Sequence, residues 1–93
     1  MDGYDGIDGQ LLINRPEITV SLLRLSRGAT VPPHPDPDTA YVICRDGSGV
    51  VQVGEEEADI SAGEFVVWPA GLIHGLRAGP DGMTVLVVHP PTT

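Results

Sequence analysis

Histidine and aspartate residues lie close together in one short segment of the sequence, His34-Pro35-Asp36-Pro37-Asp38. Side chains at alternate positions of an extended backbone point to one face, so His34, Asp36 and Asp38 are expected to share a face. Pro35 and Pro37 favour extended backbone, which supports this arrangement. Imidazole and carboxylate groups bind divalent metal ions and transfer protons, so the segment is a candidate for either chemistry. The same Pro-Asp-Pro-Asp pattern is also typical of a solvated turn.

A second histidine, His74, ends a segment whose fixed residues follow the pattern G-x5-P-x-G-x2-H. The pattern is filled by Gly63, Pro69, Gly71 and His74. The glycine permits a tight entry into a strand, and the Pro-x-Gly sequence makes the turn that ends it. The segment resembles the second conserved motif of the cupin superfamily, in which the histidine points into a barrel. The Asn that often follows this motif in cupins is replaced here by Ala78.

The first cupin motif, G-x5-H-x-H-x3-4-E-x6-G, is present in altered form. Gly28, His34 and Gly47 keep its spacing. In this alignment Asp36 occupies the position of the motif's second histidine, and Ala40 occupies the position of its glutamate.

A second alignment starts from Tyr41-Val42-Ile43, which resembles the tyrosine-containing strand of many small cupins. In this alignment His34 occupies the position of the motif's second histidine and Asp38 that of its glutamate. Pro32 then occupies the position of the first histidine. The sequence alone does not decide between the two alignments.

Either alignment implies a metal site made of His34, His74 and one carboxylate, from Asp36 or Asp38. Two imidazoles and a carboxylate form the ligand set of many non-haem iron sites, and the set also suits Mn, Ni, Cu or Zn. The family's usual set of three histidines and one glutamate is thereby reduced to three ligands. A barrel that binds no metal is therefore a second hypothesis.

The resemblance implies two functions of different kinds. In the first, a divalent metal and the catalytic residues His34 and His74 act on a small oxygenated metabolite, by oxygenase, isomerase or cyclase chemistry. In the second, a metal-free pocket binds a small molecule or isomerises it, with His34 and Asp36 or Asp38 as an acid–base pair. The family also implies a homodimer.

The elements that must position these residues are short β-strands. Gly and Pro are abundant, with 12 and 9 residues, and they separate short β-branched runs, whereas helical spacing of apolar residues is missing. The pattern predicts an all-β domain whose strands form a meander of hairpins. The predicted strands are Gln10–Asn14, Ile18–Leu25, Thr39–Cys44, Gly49–Val53, Ala58–Ser61, Phe65–Trp68, Ile73–Arg77 and Met83–His89.

We expect residues 10–93 to form one barrel domain, preceded by a flexible arm at residues 1–9. The resemblance implies that this barrel is a double-stranded β-helix, the jelly roll of cupins, built from about eight short strands. His89 is predicted to be a surface residue at a strand end, and Cys44 a small buried hydrophobic residue.

Composition excludes several classes of partner. Thirteen acidic residues oppose five basic ones, which gives a formal charge of −8, and all five basic residues are arginines. Nucleic acid and anionic membranes are therefore unlikely partners. The acidic, glycine-rich N-terminus does not resemble a signal peptide, and a single cysteine cannot form an internal disulfide. We expect a cytoplasmic protein whose partner is a small molecule.

Overall fold

The computed structural model describes residues 6–90, which form seven β-strands. Residues 6–90 contain no helix, and so no helical segment that is long and apolar enough to cross a membrane. The all-β prediction is confirmed. The strands are β1 (Ile7–Arg15), β2 (Ile18–Leu25), β3 (Thr30–Pro35), β4 (Ala40–Val53), β5 (Glu56–Ser61), β6 (Phe65–Trp68) and β7 (Ile73–His89).

Strands β4 and β7 form the centre of the fold. They are antiparallel neighbours along most of their length, from the pair Tyr41–Val88 to the pair Val53–His74. The C-terminal half of β7 also pairs with β2, and its N-terminal half pairs with β3. β4 similarly pairs with β6 and then with β5. The halves of β4 and β7 therefore belong to two facing sheets, β1-β2-β7-β4-β6 and β3-β7-β4-β5, as in a jelly roll.

Three expectations about the strands are wrong. The hairpin meander is replaced by long-range pairing, because β2 pairs with β7 and, within residues 6–90, only β1–β2 and β4–β5 are hairpins of consecutive strands. The segments 45–48 and 78–82 separate predicted strands and were expected to be turns, but they lie inside β4 and β7, where the register shifts mark bulges. A glycine-rich bulge bends a strand without ending it.

The N-terminal strand also begins earlier than expected, at Ile7, three residues before Gln10. Residues 7–9 of the expected flexible arm therefore belong to β1, and residues 1–5 lie outside the described part of the chain.

The space between the sheets is filled by the inward side chains of the central strands. Val42, Cys44 and Val85 are almost fully buried. Burial raises the pKa of the Cys44 thiol, and nearby Asp46 raises it further. Cys44 is therefore a small hydrophobic residue of the core, as predicted.

Candidate functional site

His34 and His74 are neighbours across the β3–β7 ladder. His34, near the end of β3, is directly opposite His74, near the start of β7. Residues that are directly opposite on adjacent strands place their side chains on the same face of the sheet. The two rings accordingly meet edge to face, with centroids 4.6 Å apart.

The backbone holds His34 in one tautomer. Its Nδ1 lies 2.9 Å from the carbonyl oxygen of Pro32. A carbonyl oxygen only accepts, so Nδ1–H donates this hydrogen bond, and the neutral ring keeps its lone pair on Nε2. This arrangement is typical of histidines that bind a metal ion, whose second nitrogen is held by a carbonyl or carboxylate.

His74 is held by an aromatic neighbour. Its ring stacks on Trp68, with centroids 4.0 Å apart and planes 4° from parallel. The residue is 2 % exposed, and within the described chain its Nδ1 is buried without a hydrogen-bond partner. A buried polar atom without a partner is costly, and a bound ion or ligand would remove that cost.

Asp36 lies just beyond the end of β3, in the loop that leads to β4. Its Oδ1 accepts a hydrogen bond of 2.9 Å from the backbone N–H of Asp38. Its backbone carbonyl accepts another, of 2.8 Å, from the N–H of Gly71. The adjacent Ala70 N–H donates to Thr39 Oγ1 at 3.3 Å. The Pro-x-Gly turn of the second motif therefore fixes the loop that carries the Asp36 carboxylate.

The structure brings together His34, Asp36 and His74. One nitrogen or oxygen ligand atom from each of the three lies within 4.8 Å of the others. Asp38 is not part of this group, and its backbone N–H instead orients the Asp36 side chain. Two imidazoles and one carboxylate that converge in this way match the ligand set of a divalent transition metal, and the partnerless Nδ1 of His74 agrees with that fit.

His89 is the site residue that the sequence prediction missed. It was expected at the surface, yet it lines the same cavity, and its Nε2 lies 3.9 Å from Asp36 Oδ2. A signal for this position was available, because His89 is in phase with Met83, Val85 and Val87, and all three are buried.

His34, Asp36, His74 and His89 lie on the wall of a cavity of about 220 Å³. The remaining wall is mostly apolar, and the cavity is shaped by both sheets. Its other lining residues are Ser21, Leu23, Val31, Trp68 and Val87. An apolar wall with a few convergent polar groups is the usual form of a small-molecule site.

Burial lowers the pKa of His74, and the nearby His34 imidazole lowers it further, whereas the Asp36 carboxylate acts in the opposite direction. In metal-free protein, the unfolded chain therefore binds a proton at His74 at pH values where the folded chain does not. We expect this residue to reduce the free energy of unfolding as the pH falls below the ordinary histidine pKa of about 6.5, by at most about 1.4 kcal/mol per pH unit.

Urea unfolding at pH 7.5 and 5.5, after treatment with a chelator, measures this effect. Replacement of His74 by leucine should make the stability less dependent on pH. An equal loss in wild type and variant would assign the dependence to other groups.

The comparisons with known proteins agree with this architecture. The model of the family described as "Cupin domain" matches residues 21–89. No curated protein matches the sequence.

Many solved structures share the fold. The protein TT1209 from Thermus thermophilus is 28 % identical, with a TM-score of 0.85 over 94 % of this chain and 85 % of its own. KdgF from a Halomonas species is 22 % identical, with a TM-score of 0.88 over 100 % of this chain and 87 % of its own.

The polyketide cyclase RemF from Streptomyces resistomycificus is 23 % identical, with a TM-score of 0.84 over 97 % of this chain and 68 % of its own. At such identities the last two structures show the fold alone. The match of the family model over most of the chain, together with the jelly roll and the intact second motif, shows that this chain belongs to the cupin family.

Proposed function

We propose that this protein binds a divalent metal ion through His34, Asp36 and His74 and acts on a small oxygenated metabolite in the adjoining cavity. The observation that carries the proposal is the approach of the three ligand atoms to within 4.8 Å of one another. The hydrogen bond from His34 to Pro32 and the stacking of His74 on Trp68 support it, because both hold the imidazoles in place before a metal binds.

When bound at these ligands, a divalent metal supplies Lewis-acid chemistry, or activates dioxygen if it is iron. The protein's own contribution is to hold and enclose the substrate. Val31 and Val87 on the cavity wall exclude water, and His89 presents an imidazole that can form a hydrogen bond with a substrate oxygen or move a proton.

The size of the cavity limits the substrate. At about 220 Å³ it is smaller than the roughly 300–1,000 Å³ of sites for drug-sized ligands. A compact metabolite with one or two oxygen atoms available to the metal fits this space. The similarity in fold to a protein described as a polyketide cyclase is the reason to include cyclisation among the candidate reactions.

A second candidate is a metal-free pocket that uses acid–base chemistry. The observation in its favour is the contact between His89 Nε2 and Asp36 Oδ2, at 3.9 Å, because an imidazole beside a carboxylate can exchange a proton with a bound ligand. Sensitivity to a chelator separates the two candidates. Ligand binding or turnover that survives complete metal removal would favour the metal-free pocket.

Elemental analysis of protein purified without a histidine tag tests the first candidate, with a matched pair of aspartate variants. D36N should lower metal affinity by more than the roughly 10–100-fold that loss of an outer partner of a metal ligand costs. D38N keeps the backbone N–H that donates to Asp36, so its affinity should remain near the wild-type value. Metal bound by D36N but lost from D38N would assign the carboxylate ligand to Asp38, and wild-type protein that takes up no added metal would overturn the proposal.

A further inference from the structure

The cavity that contains His34, Asp36 and His74 has neither lysine nor arginine on its wall. Within residues 6–90, its other lining residues are a serine, a further histidine, a tryptophan and three aliphatic residues. Proteins usually bind phosphate and carboxylate groups through arginine or lysine, which supply a positive charge and several N–H donors. The wall of this cavity therefore offers an anionic group no fixed positive charge.

The alternation of side chains along the strands explains why the basic residues lie elsewhere. All five are exposed arginines. Arg24 follows Leu23 on β2, and Leu23 lines the cavity, so Arg24 faces outwards, where it lies 3.8 Å from Asp8. Arg77 follows Leu76 on β7, which is 3 % exposed, and likewise faces outwards. The other three, at a strand end, in a turn and in the bulge of β4, are Arg15, Arg27 and Arg45.

The balance of charges at the metal ligands limits the charge of a bound molecule. A divalent ion brings two positive charges and the Asp36 carboxylate brings one negative charge, whereas histidines bind metals as neutral imidazoles. With all histidines neutral, the metal-loaded site has one net positive charge, and the metal-free site has one net negative charge. One negative charge on a ligand neutralises the loaded site, and a second has no partner there.

The rest of the chain opposes anionic ligands as well. Its formal charge is −8, and a field of this sign lowers the local concentration of anions and slows their association. Asp38, whose backbone N–H donates to the Asp36 side chain, brings a second carboxylate to the loop that carries Asp36. Multiply charged anions are therefore disfavoured both before and after they enter the cavity.

Uncharged oxygen atoms, by contrast, find partners on the wall of the cavity. The Ser21 hydroxyl and the His89 imidazole both line it, from the neighbouring strands β2 and β7. Ser21 pairs with Val87, two residues before His89, so the three side chains share the inward face of the sheet. A hydroxyl and a neutral imidazole each donate and accept hydrogen bonds. They suit carbonyl and hydroxyl groups, and the aliphatic wall suits a carbon skeleton.

We propose that the substrate of this cavity is a small carbonyl or hydroxyl compound that carries at most one negative charge. Compounds with two or more negative charges, phosphorylated and dicarboxylate metabolites among them, are excluded. The inference rests on the proposed function, because it names the substrate class of the same site. The exclusion follows from burial, since a second negative charge would lie beside aliphatic side chains without a partner, which is costly.

Three probes of similar shape test the charge limit on zinc-loaded protein at pH 7.5, where histidines of ordinary pKa are neutral. Pentane-2,4-dione, acetoacetate and malonate share a 1,3-dioxygen skeleton and carry no charge, one negative charge and two negative charges. The indole N–H of Trp68 reports binding in nitrogen-15 NMR spectra, because Trp68 is the single tryptophan and lines the cavity. Malonate should bind at least about 10-fold more weakly than acetoacetate, whereas charge alone favours malonate for free zinc ions.

A matched pair of variants at Ser21 separates charge from shape. S21K adds a positive charge to the cavity wall, and S21M adds an unbranched side chain without charge. Relative to S21M, S21K should raise the affinity for malonate at least about 10-fold and change the affinity for pentane-2,4-dione by less than about 3-fold. Circular dichroism confirms that each variant is folded, and elemental analysis gives its zinc content.

Either of two results would overturn the charge limit: malonate that binds wild type as tightly as acetoacetate, or equal affinities of S21K and S21M for malonate. Failure of the proposed metal site has a different signature, because wild type would then contain no zinc. In that case the same probes are applied to metal-free protein, where pentane-2,4-dione should bind more tightly than malonate. Binding of none of the three would overturn the substrate class as well.

Discussion

Replacement of His74 by leucine is expected to abolish metal binding and to leave the metal-free protein at least as stable as wild type. The first effect follows from the loss of one of three ligands, and the affinity should fall by more than about 100-fold. The second effect follows from burial, because His74 is 2 % exposed and its Nδ1 has no hydrogen-bond partner in the described chain.

The sign of the stability change depends on two opposing contributions. An unsatisfied buried polar group costs about 1–3 kcal/mol, and leucine removes that cost at similar volume. Leucine also removes the stacking of His74 on Trp68, which contributes about 0.5–1.5 kcal/mol. With the middle of each range, about 2 kcal/mol gained against about 1 kcal/mol lost, the free energy of unfolding of the metal-free protein should rise by about 1 kcal/mol.

Cobalt titration followed by visible absorption measures the affinity, and urea unfolding in the presence of a chelator measures the stability. H89L is the matched control, since His89 lines the same cavity but lies outside the group of three ligands. Because His89 Nε2 lies 3.9 Å from Asp36 Oδ2, H89L should lower the metal affinity by at most the roughly 10–100-fold that loss of an outer partner costs, which is less than the loss in H74L. If H74L bound cobalt as tightly as wild type, the ligand assignment would be wrong. A large loss of stability in H74L would show that His74 has a structural role.

The sequence predicted that His34 and His74 belong to one candidate site, and a compact motif encodes the second of them. Gly63, Pro69 and Gly71 set a strand end and a turn, so the position of His74 follows from local structure. The strands Ile18–Leu25 and Phe65–Trp68 were likewise predicted with their observed bounds, because turn residues flank apolar runs there.

The choice between Asp36 and Asp38 depended on contacts that are distant in sequence. The argument from alternate positions assumed that an extended strand continues through residue 38, whereas β3 ends at Pro35. Beyond that point the backbone is held by the N–H of Gly71, more than thirty residues away. Local sequence patterns carry no information about such a contact.

The turn predictions at 45–48 and 78–82 failed for a different reason. Glycine with positive φ serves equally in a hairpin turn and in a bulge, so the sequence signal is the same in both. Only the pairing of β4 with β7 on both sides of Gly47 shows that the strands continue. The hairpin meander was inferred from these supposed turns and failed with them.

Replacement of Gly47 by alanine is expected to destabilise the protein strongly, by about 3 kcal/mol or more. Gly47 has φ of 75°, in the left-handed region, and a Cβ added there would overlap the carbonyl oxygen of Gly82 on β7. The matched control is G54A, because Gly54 has a similar φ of 62° but open space around the added Cβ. G54A should lose only about 1–2 kcal/mol, the cost of the left-handed backbone itself.

Urea unfolding of both variants in one buffer measures the difference between their free energies of unfolding. Because both variants carry the cost of the left-handed backbone, this difference reports the close approach of β4 and β7 alone. Equal losses in G47A and G54A would mean that the overlap is relieved by a small shift of the backbone. Metal affinity in G47A should then also equal that of wild type.

The bend at Gly47 also determines whether the site can form. His74 and His89 are fifteen residues apart on β7, and a straight strand of that length spans about 50 Å. The longest dimension of the molecule is 38 Å, and both residues line one cavity. β7 must therefore curve round the barrel together with β4, and the bulge at Gly47 and Gly82 lies where it does so. G47A is thus expected to weaken metal binding as well as stability, although Gly47 does not line the cavity, whereas G54A should leave metal affinity unchanged.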